Sequence, residues 1–429
     1  MTTSEFILQH RLSNPRDLAL QARRYPDVDM PYALNQIQGW QTARQKLPSW
    51  ASCDGVVYPP HLNMEQCSSE PTARYKQEVA LRWLNKLGVG HGGATTSMAD
   101  LTGGFGVDFS FTSRCFASAT YVERNSSLCD VVSGNLPRLG ISNANVICAE
   151  AEDCLATMPQ QTMLFLDPAR RDEHGAKTVL MADCTPDVCR LLPQLMSKAR
   201  FVMLKLSPML DWHKAIADLK GTVDEVHIVS VGGECKELLL VLAGKVSVSS
   251  VDSGSLENGV RVYCVDIMPK AEADGEYKRS EFCYTIGGAA DNPPTLNPQP
   301  STLNSQLSTL NSQFLFEPNA SIMKAGCFAE LSQVYGVEAI GPNSHLFVSS
   351  GRVEQFPGRK FAIEAVCTLN KRQLKQTLGT LKQANIAVRN FPMSVAELRK
   401  RLKLRDGGDT YIFATTTMEG EHVLIICRK

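Results

Sequence analysis

The clearest candidate for a functional motif in this sequence is the segment Asp100-Leu-Thr-Gly-Gly-Phe-Gly106. Glycines let a backbone turn tightly and approach a ligand closely, and the first N–H groups of a helix that follows are free to bind it. The segment does not match the dinucleotide fingerprint, because the third glycine of G-x-G-x-x-G would fall at Phe109. It therefore predicts either a ligand-binding turn or a purely structural one, and it disfavours an NAD-dependent oxidoreductase.

Two acidic residues follow later apolar runs, at Glu123 and Glu150. A carboxylate at the end of a strand can accept two hydrogen bonds from a ribose diol, and one after the next strand can receive an adenine amine. Either residue alone is equally consistent with a carboxylate that stabilises a helix N-terminus. Because both come in register after successive predicted strands, we expect them to line one site with Asp100.

Further candidates follow the next two apolar runs, namely Asp167, Pro168, Arg170 and Lys205. A carboxylate at a strand end can accept a hydrogen bond from an N–H group or remove its proton. Arg170, with Arg171 beside it, is expected to clamp a phosphate or to form structural ion pairs. Lys205 is expected to contact the substrate or to pair with Asp167. No cysteine follows either run, which disfavours covalent catalysis.

The elements that must position these residues alternate between strand and helix. We predict strands over 97–101, 119–123, 145–148, 163–167, 201–206, 225–231 and 237–242. We predict helices from 105 and over 75–87, 126–139, 186–198 and 212–219. This alternation predicts an α/β fold, a doubly wound Rossmann-like sheet that is mostly parallel. The connection over 232–236 is too short for a parallel crossover, so the last two strands must be antiparallel.

Taken together over about 95–245, these motifs resemble those of class I methyltransferases that use S-adenosylmethionine (SAM). A terminal reversed strand also marks that family. The resemblance implies that SAM is the cofactor, with the methionine part held by Asp100, Thr102, Gly104 and Gly106. It also implies that Glu123 holds the ribose and Glu150 the adenine. The sequence departs from the family at Thr102, which replaces the first glycine of the loop.

The segment from Asp167 to Arg170 resembles the D/N-P-P-x motif with which base methyltransferases hold the group that they alkylate. Ala169 replaces the second proline, and Arg170 replaces the aromatic residue that stacks on a flipped base. We therefore disfavour methylation of the exocyclic amine of adenine or cytosine. The resemblance implies that Asp167 orients the base.

The length of 429 residues predicts two to four folding units. We predict a helical arm over 1–70, the methyltransferase domain over 71–245, a small α/β domain over 246–355 and a second one over 356–429. Tandem TLN-containing repeats over 291–313 offer too few core residues and predict a disordered insertion. We predict a helix over 319–335 in the first small domain and helices over 371–383 and 395–404 in the second. Ser394 and Glu397 form a capping box, and Gly407-Gly408 is expected to close the helix of 395–404.

The net charge is zero, but between Arg359 and Arg405 the chain has 12 Lys or Arg and 2 Asp or Glu, which is about +10. This predicts a nucleic-acid-binding surface, with a solvated basic helix face as the alternative. The domain order also resembles a bacterial methyltransferase group with a ferredoxin-like segment and a THUMP-like domain. That resemblance implies binding to structured RNA, with tRNA ahead of rRNA.

The remaining composition indicates a cytoplasmic enzyme. The 14 cysteines contain no CxxC pair, which favours reduced thiols over disulfides or a metal site. No apolar run approaches the roughly 20 residues of a membrane span. The sequence thus predicts a SAM-dependent RNA methyltransferase and leaves the oligomeric state open. The alternatives are a small-molecule or protein methyltransferase and a catalytically silent RNA-binding protein that retains SAM.

Overall fold

The computed structural model describes residues 1–90, 95–170, 181–243, 259–268, 277–287 and 313–429. The chain divides into two compact units. The first comprises 1–227, 236–255 and 271–277, and the second comprises 228–235, 256–270 and 278–429. The predicted insertion over 291–313 lies outside the described residues except for its last position, and the predicted division into four domains stays a prediction.

The N-terminal part of the first unit is helical. Its helices are α1 (Thr3–His10), α2 (Pro15–Leu20), α3 (Met30–Lys46), α4 (Pro48–Ala51), α5 (His61–Gln66) and α6 (Glu70–Lys86). Side chains cap the first three, because Thr2, Asn14 and Asp29 each accept a first-turn N–H group. Pro15, Pro31 and Pro48 lie in the first turns of their helices, where no N–H group is needed, so they start helices rather than interrupt them.

Helix α6 is longer at its start than the predicted 75–87 and buries one face along its whole length. Tyr75, Val79 and Trp83 are among the residues of this face, at the spacing of successive helical turns. Lys76 lies on the same face and is fully buried. A buried lysine must be paired, so the helix brings a charge into the core that another element has to neutralise.

The α/β part of the first unit follows α6. Its elements are β1 (Ser97–Asp100), α7 (Val107–Thr112), β2 (Ser118–Glu123), α8 (Ser126–Arg138), β3 (Ala144–Cys148), α9 (Ala151–Thr157), β4 (Gln161–Leu166), β5 (Ala169–Arg170), β6 (Cys184–Thr185), α10 (Val188–Lys198), β7 (Ala199–Leu206), α11 (Trp212–Asp218), β8 (Val223–Val231) and β9 (Glu234–Leu242). The predicted alternation of strand and helix is confirmed. Helix α9 and the short antiparallel pair of β5 and β6 were not predicted from the sequence.

The main sheet has the strand order β8-β9-β7-β4-β1-β2-β3 in this unit, with β8 continuing into the second unit at residue 228. The pairs from β7 to β3 are parallel, and β9 is antiparallel to β7. The reversed strand is therefore confirmed. The turn before it is shorter than predicted, since Gly232 and Gly233 alone connect the strands, both with positive φ. Two such residues match a tight hairpin turn.

The second unit contains the antiparallel hairpin of β10 (Val260–Met268) and β11 (Lys278–Ile286). The elements that follow are β12 (Phe314–Pro318), α12 (Ala320–Ala325), α13 (Phe328–Tyr335), β13 (Glu338–Ala339), β14 (Phe347–Ser349), β15 (Gly358–Thr368), α14 (Lys371–Leu378), β16 (Asn385–Arg389), α15 (Val395–Leu402), β17 (Thr410–Thr416) and β18 (His422–Arg428). Their strands form a seven-stranded sheet in the order β13-β14-β12-β15-β18-β17-β16.

Both faces of this second sheet are covered. Along β18, Leu424 and Ile426 pack in one core cluster with residues of α14 and α15, and Val423, Ile425 and Cys427 pack in another. Successive residues of a strand point to opposite faces, so the alternation assigns the two clusters to the two faces.

Three predictions for the second unit need correction. The helix predicted over 319–335 is two helices, because Gly326 adopts a left-handed conformation and ends α12. The helix predicted over 371–383 ends at Leu378. The capping box of Ser394 and Glu397 is present, but Gly407-Gly408 does not close α15, because Lys403 with φ of +56° is its cap. In the described parts of the chain, no helix combines the length and the apolar character that a membrane crossing requires.

Candidate active site

The glycine-rich segment connects β1 to α7, and its conformation explains why glycine is needed. Gly104 and Gly106 have φ of +53° and +80°, in the left-handed region that favours glycine. At Gly103 the constraint is space, because a Cβ atom there would lie 2.1 Å from Cε2 of Tyr121. The Tyr121 hydroxyl also donates a hydrogen bond of 2.5 Å to the Gly104 carbonyl. The neighbouring strand therefore holds the turn in place.

Asp100 is buried at the end of β1, where its Oδ1 accepts the Thr102 N–H at 3.0 Å. Burial raises the pKa of this carboxyl well above its usual range, and the nearby carboxylates Asp108, Asp167 and Glu123 raise it further. Thr102 Oγ1 accepts the backbone N–H of Asp167 at 2.6 Å. The residue that departs from the family's glycine thus ties the glycine turn to the segment that follows β4.

Glu123 lies at the end of β2 and already holds two backbone groups. Its Oε2 accepts the Gly104 N–H at 2.9 Å, and its Oε1 accepts the Asn125 N–H at 2.8 Å. Each oxygen of a carboxylate has a second lone pair, so both can accept a further hydrogen bond. Glu150 occupies the N-cap position of α9, but its exposed side chain makes no capping bond. Both carboxylates can accept hydrogen bonds from a ligand.

Asp167 directly follows β4, and Lys205 lies on β7, the strand next to β4 in the sheet. The Lys205 Nζ lies 2.5 Å from Asp167 Oδ2 and 3.7 Å from Asp108 Oδ2. Burial lowers the pKa of Lys205, but Asp167 and Asp108 outweigh it and leave that pKa raised, so the ammonium is kept. Of the two roles that the sequence leaves open for Lys205, the structure shows the ion pair with Asp167. That carboxylate is 39% exposed and remains open to a ligand.

A buried charge network lies behind this pair. Lys76 Nζ lies 2.6 Å from each carboxylate oxygen of Glu237 and 3.2 Å from Asp108 Oδ1. The Ser68 hydroxyl donates to Asp108 Oδ2 at 2.7 Å. Burial raises the pKa of Asp108, but Lys76 and Lys205 outweigh it and hold that pKa below its usual value. Burial also raises the pKa of Glu237, and Lys76 offsets only part of this effect.

One cavity of about 290 Å³ connects the glycine turn with the acidic residues at the strand ends and with Lys205. Its lining includes the following sequence-predicted residues: Asp100, Thr102, Gly104, Gly106, Glu123, Glu150, Asp167 and Lys205. Pro168 is buried and does not line the cavity. The side chain of Arg170 and the whole of Arg171 lie outside the described residues. Among the described lining residues, six carboxyl groups outnumber the two cations, Lys205 and Arg124, and glycine backbone is also present. This lining suits a cationic ligand that carries hydroxyl groups.

Lys76, Asp108 and Glu237, which form the buried charge network next to the site, were not predicted as site residues from the sequence. One indicator was available for two of them. Lys76 falls on the apolar face of α6, and Asp108 is an acidic residue within the apolar run of α7. A charged residue at a position that the helical period assigns to the core indicates a buried ion pair.

Comparison with known proteins agrees with this architecture. Residues 314–357 match the family model of a ferredoxin-like domain, and residues 358–429 match that of a THUMP domain-like segment. A crystal structure named "putative methyltransferase" from Porphyromonas gingivalis W83 is similar over 93% of this chain and 90% of that chain. Its TM-score is 0.75 and its sequence identity 28%. None of the curated proteins compared with this sequence matches it.

Two further solved structures are similar to part of the chain. An rRNA methylase from Streptococcus thermophilus has 12% identity over 39% of this chain and 94% of that chain, with a TM-score of 0.29. A precorrin-6y C5,15-methyltransferase from Geobacter metallireducens GS-15 has 17% identity over 39% of this chain and 88% of that chain, with a TM-score of 0.29.

The fold, the similarity to the Porphyromonas gingivalis structure and the two family models define the class of protein. The chain has the Rossmann-like fold of class I methyltransferases, followed by ferredoxin-like and THUMP-like segments. The predicted fold class and the predicted family resemblance are thereby confirmed.

Proposed function

We propose that this protein is a SAM-dependent methyltransferase that acts on RNA, with tRNA a more favoured substrate than rRNA. The observation that carries the proposal is the single cavity that joins the glycine turn to the pair of Asp167 and Lys205. A methyltransferase needs a cofactor site and an acceptor site within bonding distance of each other. The six residues predicted for the cofactor line the same cavity as Asp167 and Lys205, two of the residues predicted for the acceptor.

The residues present fit SAM. Its sulfonium and ammonium groups are cationic, and Asp100 is a buried carboxyl surrounded by other carboxylates, whose ionised form a cation would favour. Glu123 keeps a free lone pair on each oxygen for the two ribose hydroxyls, and Glu150 is exposed to receive the adenine amine. A Cβ atom at Gly104 would meet only the Thr102 carbonyl oxygen, at 3.9 Å, so the backbone there leaves room for a ligand. When bound, SAM supplies the methyl group.

Asp167 and Lys205 fit the acceptor side of the reaction. Methyl transfer is an in-line displacement, so the protein must chiefly orient the lone pair of the attacking atom. In this proposal the exposed edge of the Asp167 carboxylate accepts a hydrogen bond from the acceptor base. Lys205 holds that carboxylate from behind at 2.5 Å and prevents it from rotating away. Lys205 is thus a positioning residue.

The THUMP-like segment supports RNA as the substrate class. Residues 358–429 contain 14 Lys or Arg and 6 Asp or Glu, a formal charge of +8. Lys371, Arg372 and Lys375 of α14 are exposed, and so are Lys400 and Arg401 of α15. Exposed cations of this density neutralise phosphates and release counterions from a nucleic acid. The THUMP-like segment is proposed to capture the RNA, as the family resemblance implies.

The test is transfer of label from methyl-labelled SAM to size-fractionated RNA from cells that lack this gene. We expect label in one RNA class with the wild-type protein and at least a 100-fold loss with Asp167→Ala, roughly what the removal of a positioned catalytic group costs. Asp130→Ala, which removes an exposed carboxylate of α8, is the matched control and should leave transfer unchanged.

Two outcomes would refute the proposal. SAM binding without transfer to any RNA fraction would exclude an RNA methyltransferase and favour a silent RNA-binding protein. Transfer to a protein or small-molecule fraction alone would assign another substrate class. Full transfer by the Asp167→Ala variant would leave the assignment of the cofactor site intact but would contradict the role of Asp167 at the acceptor site.

A further inference from the structure

The N-terminal helical arm contributes a wall to the cavity. Asn63 and Gln66 of α5, with Cys67 and Ser68 directly after it, line the same space as Asp167 and Lys205. The two amide residues are three positions apart on the helix, so their side chains lie on the same face. The sequence assigned no chemistry to this arm.

The arm is fixed against the glycine turn rather than loosely attached. Met64 of α5 is fully buried and packs in one core cluster with Phe105 and Val107. From α3, Lys46 Nζ donates to the carbonyls of Met64 and Glu65 at 2.9 and 2.6 Å. These carbonyls belong to the last turn of α5, where a cation is favourable. Packing and capping together hold Asn63 and Gln66 in position at the cavity.

This wall lies at the acceptor end of the cavity. Ser68 donates to Asp108 Oδ2 at 2.7 Å, and the same oxygen lies 3.7 Å from Lys205 Nζ. Gln66 is two residues before Ser68, which limits their Cα separation to about 7 Å. The wall therefore reaches Lys205 through Ser68 and Asp108, and its two amides line the same cavity as Asp167.

The chemistry of the wall suits the edge of a nucleobase. Each amide offers donors and an acceptor, and neither side chain is hydrogen-bonded to another group in the described part of the chain. A base edge presents donors and acceptors side by side and matches such a pair. Among the described residues of the cavity lining, the aromatic ones are Phe105 and Phe165, which are 4% and 2% exposed. Hydrogen bonds from the arm would thus replace the usual stacking on an aromatic ring.

We propose that Asn63 and Gln66 are specificity-determining residues that read the hydrogen-bonding edge of the acceptor base. This inference rests on the proposed function, because it names how the same site recognises its substrate. The arm is then part of the catalytic unit, and base recognition is divided between α5 and the end of β4.

The test measures single-turnover methyl transfer to the RNA fraction that the wild-type protein labels, together with SAM affinity by equilibrium dialysis. The double variant Asn63→Ala, Gln66→Ala should lose roughly three- to tenfold in kcat/KM per amide, so about 10- to 100-fold in total. SAM affinity should stay within about twofold, since the amides contact the acceptor. Gln9→Ala, an exposed amide of α1 in the same arm, is the matched control and should match wild type.

A second variant separates hydrogen bonding from packing. Gln66→Met keeps the length of the side chain and removes its polar atoms, so it should be as defective as Gln66→Ala. Rescue by methionine, or unchanged transfer by the double variant, would overturn the inference while the wild-type activity stands. Loss of SAM affinity in parallel with transfer would also overturn it, because the arm would then bind the cofactor. If the wild-type protein labels no RNA, the proposed function fails and the inference fails with it.

Discussion

Replacing Lys76 by methionine should strongly destabilise the first unit and identify the charge network as the support of the site. Lys76 is fully buried and holds both oxygens of Glu237 at 2.6 Å and Asp108 at 3.2 Å. Methionine has a similar length and apolar volume, so the change removes the charge while largely preserving the packing. Two buried carboxylates then lose a cation.

The expected loss in the free energy of unfolding follows from the contacts that Glu237 and Asp108 keep in the variant. Removal of one partner from a buried ion pair costs roughly 3–5 kcal/mol, because the other partner stays desolvated and uncompensated. Glu237 is 2% exposed and cannot recover solvent. Asp108 keeps the Ser68 hydroxyl at 2.7 Å and Lys205 at 3.7 Å, which places the loss nearer the lower end of that range.

The measurement is urea unfolding followed by tryptophan fluorescence. The four tryptophans, Trp40, Trp50, Trp83 and Trp212, all lie in the first unit, so the signal reports that unit. Lys214→Met is the matched control. It removes a lysine that is 51% exposed and paired at 3.2 Å with Asp218 four residues on, and it should change the free energy of unfolding by no more than about 0.5 kcal/mol.

The pH dependence gives a second test with a definite sign. Without Lys76 we expect the pKa of Glu237 to rise further, since burial already raises it. A carboxyl whose pKa is higher in the folded state stabilises the fold at low pH, and this contribution is lost as the pH rises through the folded value. The free energy of unfolding that the variant loses relative to the wild type should therefore be small near pH 5 and largest near about pH 8. A loss below about 1 kcal/mol at the higher pH, or a loss independent of pH, would refute this account of the network.

Two other substitutions test the cofactor end of the cavity. Because burial raises the pKa of Asp100 above its unfolded value, its ionisation costs stability at neutral pH, so Asp100→Asn should raise the thermal midpoint of the ligand-free protein. The same change should weaken SAM at least tenfold by dialysis, as roughly expected for loss of one charged contact; equal or tighter SAM binding would contradict the assignment. Gly103→Ala places a Cβ atom 2.1 Å from Cε2 of Tyr121. It should lower the free energy of unfolding by about 1–3 kcal/mol and should also cause the loss of SAM binding. Gly134→Ala in α8 meets only the mobile end of Arg138, at 3.0 Å, and is the control that should retain both properties.

The sequence predicted the sheet and much of the cavity because these depend on short-range patterns. Apolar runs separated by amphipathic segments indicated the strands, and parallel strands bring their carboxyl ends to one edge. Glu123, Glu150, Asp167 and Lys205 could therefore be expected in one place from their positions after successive strands. The reversal of β9 followed from the length of its connection.

The start of α15 was predicted because a nearby side chain caps it. Its end was missed because it depends on the backbone conformation of one residue. The capping box of Ser394 and Glu397 depends on residues three apart and was visible in the sequence. The end of α15 depends on Lys403 adopting a left-handed conformation, which lysine rarely does. No residue type indicates such a cap, so the sequence pointed to the glycines at 407 and 408 instead.

By itself the sequence determined the glycine turn, most of the order of strands and helices and the charge of the THUMP-like segment, since each depends on residues that are near one another in the chain. Only the tertiary structure decided which charges meet. Lys76 and Glu237 are 161 positions apart, and α5 reaches the cavity through the packing of Met64 on Phe105. A helical period shows which face of a helix is buried, but the partner of that face is chosen by packing across the whole unit.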